Sequence, residues 1–172
     1  MPATPPGPQA SPPSFNNSEF RSALGMFATG VTIVTARAAN GRLVGLTANS
    51  FNSVSLSPPL VLWSLARAAG SLAVFSGGTH YAINVLAADQ KHLALQFSNR
   101  QGDRWQGVAH HPGVAGAPLI DGAAASFECF NRIRYEEGDH VIFVGEVEHC
   151  AHRDGASPLL FHGGRFYSEL PL

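Results

Sequence analysis

Residues 45–59 read Gly-Leu-Thr-Ala-Asn-Ser-Phe-Asn-Ser-Val-Ser-Leu-Ser-Pro-Pro, a run of hydroxyl and amide side chains between two apolar segments. It has neither the charge of a solvated loop nor the alternation of a core strand. Small side chains let a ligand approach the backbone closely. Free N–H groups then donate to carbonyl and ring-nitrogen acceptors, while hydroxyls hold a phosphate or a sugar chain. The segment therefore suits a polar, uncharged ligand. It also suits a Ser/Thr-rich turn, the reading that composition alone favours.

Other chemistries find less support. Eight histidines include the adjacent His110-His111 and the group His149, Cys150 and His152. Adjacent residues on an extended chain point to opposite faces, and no repeated Cys-x-x-Cys or His-Glu-x-x-His spacing occurs, so no metal is expected. No Gly-x-Ser-x-Gly elbow presents a serine nucleophile. Glu136, Glu137 and Asp139 read as a polar turn and not as an acid–base pair. No glycine-rich dinucleotide fingerprint stands between a strand and a helix. Cys129 and Cys150 are expected as two buried free thiols packing as small hydrophobes.

The elements that must position the 45–59 segment are mostly strands. Residues 2–17 carry prolines at 2, 5, 6, 8, 12 and 13 and are expected to form a disordered tail (1–17), followed by one domain over 18–172. Ser18 is the expected N-cap of a helix with Phe20, Ala23, Leu24 and Phe27 on one face, ending near Thr29. Residues 31–35 are β-branched throughout and predict a strand. Asn40-Gly41 predicts a tight hairpin turn with 43–46 returning antiparallel. Residues 60–65 and 81–86 read as strands, 70–75 as a helical turn or two, and Asp89 as the cap of a helix carrying Leu93, Leu95 and Phe97. Residues 101–122 are too long for an ordinary connection and suggest a functional loop. Strands over 123–136 and 140–150, then a hairpin around Gly163-Gly164, complete a β-barrel with peripheral helices.

Composition narrows the partners. Eleven basic against 12 acidic residues leave no electrostatic footprint for nucleic acid or an anionic membrane surface. The apolar stretch at 60–65 is too short to cross a bilayer, and the start lacks the charged-then-apolar pattern of a leader, so a cytoplasmic protein is expected. Hydrophobic residues are 45% and charged residues only 13%, so part of the apolar surface is expected to lie against a second subunit.

Six segments in one order carry a family resemblance: Thr29-Gly30-Val31-Thr32-Ile33-Val34-Thr35, the Gly-Leu-Thr-Ala-Asn-Ser-Phe run at 45–51, Ser55-Leu56-Ser57-Pro58-Pro59-Leu60-Val61, Tyr81-Ala82-Ile83-Asn84-Val85-Leu86, Gly138-Asp139-His140 and Gly164-Arg165-Phe166-Tyr167. Together they resemble the short-chain flavin reductases, the small components that supply reduced flavin to two-component monooxygenases. The resemblance spans about residues 18–168. It implies an FMN-binding split barrel, a Greek-key antiparallel barrel forming a homodimer with FMN or FAD near the subunit interface and NADH or NADPH as hydride donor. By the same resemblance, the backbone and hydroxyls of Thr47, Ala48, Asn49 and Ser50 would face the flavin ring, and Ser53 and Ser55 its ribityl and phosphate end. Thr32 and Ser64 are further flavin contacts, and His140, Arg165 and Tyr167 face the nicotinamide nucleotide. Asp103-Arg104-Trp105 also matches a family pattern but reads as a capped turn with an aromatic anchor. A flavin-binding protein without turnover, or a pyridoxine-phosphate-oxidase-like flavoenzyme, remains as an alternative. Hydride transfer needs no acid–base side chain, so none is expected.

Overall fold

A computed structural model describes residues 10–169. Residues 1–9 of the expected tail lie outside the described residues. Helix α1 (Asn17–Gly25) is capped by Asn16 and not by Ser18. The Asn16 carboxamide oxygen accepts from the N–H groups of Ser18 and Glu19 at 2.9 and 3.0 Å, and the Glu19 carboxylate accepts from the Asn16 N–H at 2.8 Å. That reciprocal pair needs an acid three residues after the cap; Ser18 has Arg21 there. Phe27 lies past the helix end, because the chain turns into the short strand β1 (Thr29–Gly30).

Strands β2 (Thr32–Arg37) and β3 (Leu43–Ala48) pair antiparallel, Thr32 opposite Ala48 and Arg37 opposite Leu43. The turn between them differs from the expected two-residue type. Gly41 takes φ 83° while no non-glycine among the described residues takes positive φ. Asn40 instead accepts the Arg42 N–H through its side-chain oxygen at 3.1 Å. A longer loop with a single left-handed residue at its end results, and only glycine adopts that conformation without strain.

Next come β4 (Asn52–Leu56), β5 (Pro59–Ala66), helix α2 (Leu72–Gly77), β6 (His80–Val85), a 3-10 turn at Ala88–Gln90 and helix α3 (Lys91–Ser98). Asp89 lies inside the 3-10 turn. No side chain caps α3; the Gln90 side chain instead closes the 3-10 turn, accepting from the Ala87 N–H at 3.1 Å, and donates to the Asp121 carbonyl at 2.8 Å. Leu93 and Phe97, four residues apart, face inward, whereas Leu95 between them is half exposed. The long 101–122 segment holds a small hairpin, β7 (His110–Pro112) with β8 (Pro118–Ile120). The Thr35 hydroxyl donates to the Pro118 carbonyl at 2.6 Å and the Ile120 N–H to the Asn84 side chain at 2.9 Å, pinning this hairpin to the sheet.

Two long strands, β9 (Ala125–Glu137) and β10 (His140–His152), and a last pair, β11 (Leu159–His162) with β12 (Arg165–Ser168), complete the fold. Seven strands form one antiparallel sheet in the order β3-β2-β6-β9-β10-β5-β4, and β1-β11-β12 form a second. The outer strands of the large sheet, β3 and β4, are consecutive in the chain and joined only through residues 49–51. The sheet therefore curls round on itself while these two edges find no partner among the described residues: a split barrel, mainly β with helices at its periphery.

Strand β2 runs between two hydrophobic cores, which is why its β-branched run is buried on both faces. Inside the barrel, Val34 and Ala36 join Trp63, Phe75, Tyr81 and Phe143, with the Trp63 and Phe143 rings stacked at 4.8 Å. Outside it, Ile33 packs with Leu93, Ala94 and Phe97 of α3. Cys129 faces the inner core, and burial, aided by nearby Glu148 and Glu128, pushes its thiol up to about 12. Cys150 is exposed, contrary to expectation, because β10 pairs with β5 only over residues 140–146 and its far half runs on beside β9 alone.

Gly45 fits β3 against α3: a Cβ there would lie 2.5 Å from the Phe97 ring, itself fully buried. Gly45→Ala should lose about 1–3 kcal/mol of stability from overpacking. Urea unfolding measures this, and an unchanged midpoint would show that Phe97 yields freely.

Candidate functional site

The split in the barrel sets up the site. Among the described residues strand β3 pairs only with β2, so on its other edge alternate backbone N–H and C=O groups point outward. The Gly45 carbonyl is one of these, accepting from the Arg104 guanidinium at 2.9 Å. By the two-residue period, the backbone of Thr47 faces the same way. Along this edge runs an open cleft of about 850 Å³, walled by β3 and the 49–50 bend, the end of β5 with the loop after it, and the 97–105 segment.

The expected hydroxyls serve a structural purpose here. Extending the β4–β5 register past Asn52 opposite Leu62 puts Ser50 opposite Ser64, but the chain has already bent away. The Ser50 side chain takes the place of the missing backbone partner, accepting from the Ser64 N–H at 2.9 Å and lying 3.3 Å from the Ser64 carbonyl as donor. The Thr47 hydroxyl donates to the Ala94 carbonyl of α3 at 2.7 Å, tying the cleft floor to the covering helix. What these residues leave for a ligand is chiefly their backbone and a surface of small groups such as Ala48, Ala66 and Ala68.

His140 stands at the rim where β10 begins, opposite Ala66 of β5. Its Nδ1 lies 2.7 Å from the Asp139 carboxylate. That hydrogen bond first, and the imidazole charge second, hold the Asp139 carboxyl below the ordinary carboxylate range.

Six of the expected contacts thus share one cleft: Thr47, Ala48, Asn49, Ser50, Ser64 and His140. Five do not. Thr32 is buried behind β3, where its hydroxyl donates to the Ala48 carbonyl at 2.7 Å. Ser53 and Ser55 sit on β4, beyond the bend, and the Ser55 hydroxyl accepts from the Ser57 N–H at 3.2 Å. Arg165 and Tyr167 lie on β12 in the separate three-stranded sheet.

The cleft also gathers residues that sequence reasoning did not assign to it. The Trp105 N–H donates to the Asp103 carboxylate at 2.9 Å and its ring meets Phe97 edge-on at 5.0 Å, so the capped turn with an aromatic anchor is present and forms a wall. Arg42 and Arg100 also line it. No local pattern marked these two, since one ends a hairpin loop and the other follows a helix.

A neutral polar floor beside an open strand edge, with small side chains and a few cations, fits a flat heteroaromatic ring bearing an anionic tail. The chain belongs to the family described as "Flavin reductase like domain", which matches residues 24–169. It is 49% identical over 151 residues to the FMN reductase (NADH) SmoA of Agrobacterium fabrum, covering 88% of this chain and 85% of that protein. It is 38% identical to the reductase component of the flavin-dependent trigonelline monooxygenase of Acinetobacter baylyi, over 87% of this chain but only 48% of that one. Among solved structures it matches the NADH:FAD oxidoreductase SgcE6 of Streptomyces globisporus, in complex with NAD and FAD fragments. That match has a TM-score of 0.86 and 40% identity, over 91% of this chain and 94% of the other.

The depressed Asp139 carboxyl should persist only while His140 donates to it. The pair is intact above that pKa and is lost as pH falls through it. In His140→Ala, a carboxyl NMR titration should find Asp139 back up in the ordinary range; an unmoved value would assign the shift to another cause.

Proposed function

We propose that this protein is an NADH- or NADPH-dependent flavin reductase that binds FMN or FAD along the free edge of β3 and delivers reduced flavin to a partner monooxygenase. The observation that carries the reading is the polar cleft at an unpaired strand edge, uncharged along its 47–50 floor, with His140 on its rim. The names of its relatives support it: SmoA is an NADH-dependent FMN reductase, and the Acinetobacter protein is a monooxygenase component.

When bound, the flavin ring supplies the hydride acceptor, so the protein's part is to position and to exclude. The outward backbone of β3 and the 49–50 bend would hold the polar edge of such a ring, their N–H groups donating to its acceptors. Ser50 and Thr47 keep that backbone in place through Ser64 and Ala94. His140, oriented by Asp139, would contact the nicotinamide from the rim. No side chain of the cleft has to carry a proton for the transfer itself.

We also infer a homodimer. The outward residues of β9, β10 and β5 align in rows: Phe130 with Glu146 and Leu60, Ile133 with Val144 and Leu62, and Tyr135 with Ile142 and Ser64. Phe130, Ile133 and Tyr135 remain 40–48% exposed, an apolar face too continuous for an isolated chain. The next row holds Ala66 and His140, so a second copy on this face would cover the open side of the cleft. On this reading the protein works in the cytoplasm, beside the pool of reduced nicotinamide.

Mixing the protein with NADH or NADPH and FMN, FAD or riboflavin should give nicotinamide oxidation that depends on added flavin. Bound flavin without oxidation would leave a flavin carrier instead. His140→Ala should raise the nicotinamide KM or slow flavin reduction while flavin affinity stays near wild type; unchanged nicotinamide kinetics would remove His140 from the site. Light scattering should return twice the 18.2 kDa chain mass and Ile133→Glu should shift it toward one chain, whereas a monomeric wild type would sink the dimer.

A further inference from the structure

A second cleft, of about 320 Å³, opens at the other end of β10 from the first. Strand β10 has His140 at its start, on the rim of the first cleft, and His152 at its end, on the wall of this one. Its 13 residues of extended chain span roughly 40 Å. The two clefts are therefore separate.

The second cleft arises because β10 outruns β5. Its far half pairs only with the start of β9, and the β7–β8 hairpin with residues 121–123 stands beside that pair. The side chains that meet the gap are short. Ala123, Ala125 and Ala151 leave its floor bare, and Leu119 adds an apolar wall.

The charges around this hollow do not balance. His111 Nδ1 lies 2.6 Å from the Asp121 carboxylate, and His152 Nε2 lies 3.1 Å from that of Asp154. Each carboxylate thus has an imidazole beside it. The Arg153 side chain makes no ion pair and no hydrogen bond among the described residues, while its backbone N–H donates to the Ala124 carbonyl at 2.9 Å and fixes the base of the side chain at the rim. One guanidinium is left without a counter-charge beside an apolar surface. The Ser126 hydroxyl in the same cleft also has no partner among the described residues.

We propose that this cleft binds a small organic monocarboxylate with a flat apolar body, its carboxylate on Arg153 and its body against Leu119 and the alanines. A guanidinium donates two parallel, charge-assisted hydrogen bonds to a carboxylate. An apolar lining with a few convergent polar groups is the usual form of a small-molecule site, and the volume lies at the lower end of that class. A single uncompensated cation matches a single negative charge. The site takes no part in hydride transfer, and it stands whether or not the first cleft holds flavin.

Benzoate serves as the probe in an amide NMR titration of the full chain, with benzamide as its uncharged counterpart and inorganic phosphate as an anion without an apolar body. Benzoate should move the signals of residues 119–126 and 151–153 with a Kd of about 1 mM or below. Benzamide should bind at least about fivefold more weakly, because it cannot meet the guanidinium charge. Arg153→Gln should bring benzoate down to the benzamide level. Ala151→Leu, a change at an exposed residue, should fill the floor and weaken both ligands while signals elsewhere stay in place. Saturating FMN should leave the benzoate Kd unchanged. Benzoate shifts at residues 45–50 that FMN abolishes would put the ligand in the first cleft and overturn the proposal. So would wild-type benzoate affinity in Arg153→Gln, phosphate binding as tight as that of benzoate, or unmoved signals in the second cleft at about 20 mM benzoate.

Discussion

An antiparallel sheet satisfies its backbone by pairing every edge, and this one leaves two edges open. Strands β3 and β4 end the sheet, yet they follow one another in the chain with only residues 49–51 between them. The bend at 49–51 sends the chain away before the edges can meet. Unpaired backbone groups beside a hydrophobic core are costly unless something satisfies them. The protein meets this demand with side chains: the Ser50 hydroxyl completes the β5 ladder at Ser64, and Arg104 caps the Gly45 carbonyl. On the proposed function, the outward edge still unfilled along Thr47 is where a ring rich in carbonyl and nitrogen acceptors would find donors.

The same opening has to be held rigid, because hydride transfer depends on placement more than on any reacting side chain. Strand β2 supplies that rigidity by lying between two cores, and Thr32 fixes the Ala48 carbonyl from behind. Helix α3 covers β3 closely because Gly45 has no side chain, and Thr47 ties the strand to the helix at Ala94. The segment rich in small polar residues is therefore stiff despite a loop-like composition. Most of its hydroxyls are spent on holding backbone in position.

The outer surface carries the argument beyond one chain. Alternation along β5, β9 and β10 puts Trp63 and Phe143 inside and a sequence of apolar rows outside, and those rows end in Ala66 and His140 at the cleft. A low content of charged residues is thereby given a location. It corresponds to a face that adjoins the cleft, so in the proposed dimer assembly and ligand binding would be neighbouring events on the same strands.

Much of this was legible in the residues themselves. The β-branched run of β2, the glycine-bearing hairpins and the alternation of β10 are local signals, and strand period and turn chemistry are local properties. The order of six motifs sufficed for the resemblance to flavin reductases. Tertiary structure decided the rest. The Asn16 cap is no part of that, since its partner Glu19 stands three residues on and the signal is local. Cys150 came out exposed because β10 outruns β5. Thr32, Ser53 and Ser55 left the cleft because a strand's two faces and a bend of three residues separate side chains that are close in the chain. Arg42 and Arg100 entered it because a hairpin and a helix end meet beside β3, 58 positions apart. Sequence by itself thus determined which backbone shapes form and what kind of ligand suits them. Which side chains share the cleft was decided by the curl of the sheet, since long-range strand pairing has no local code.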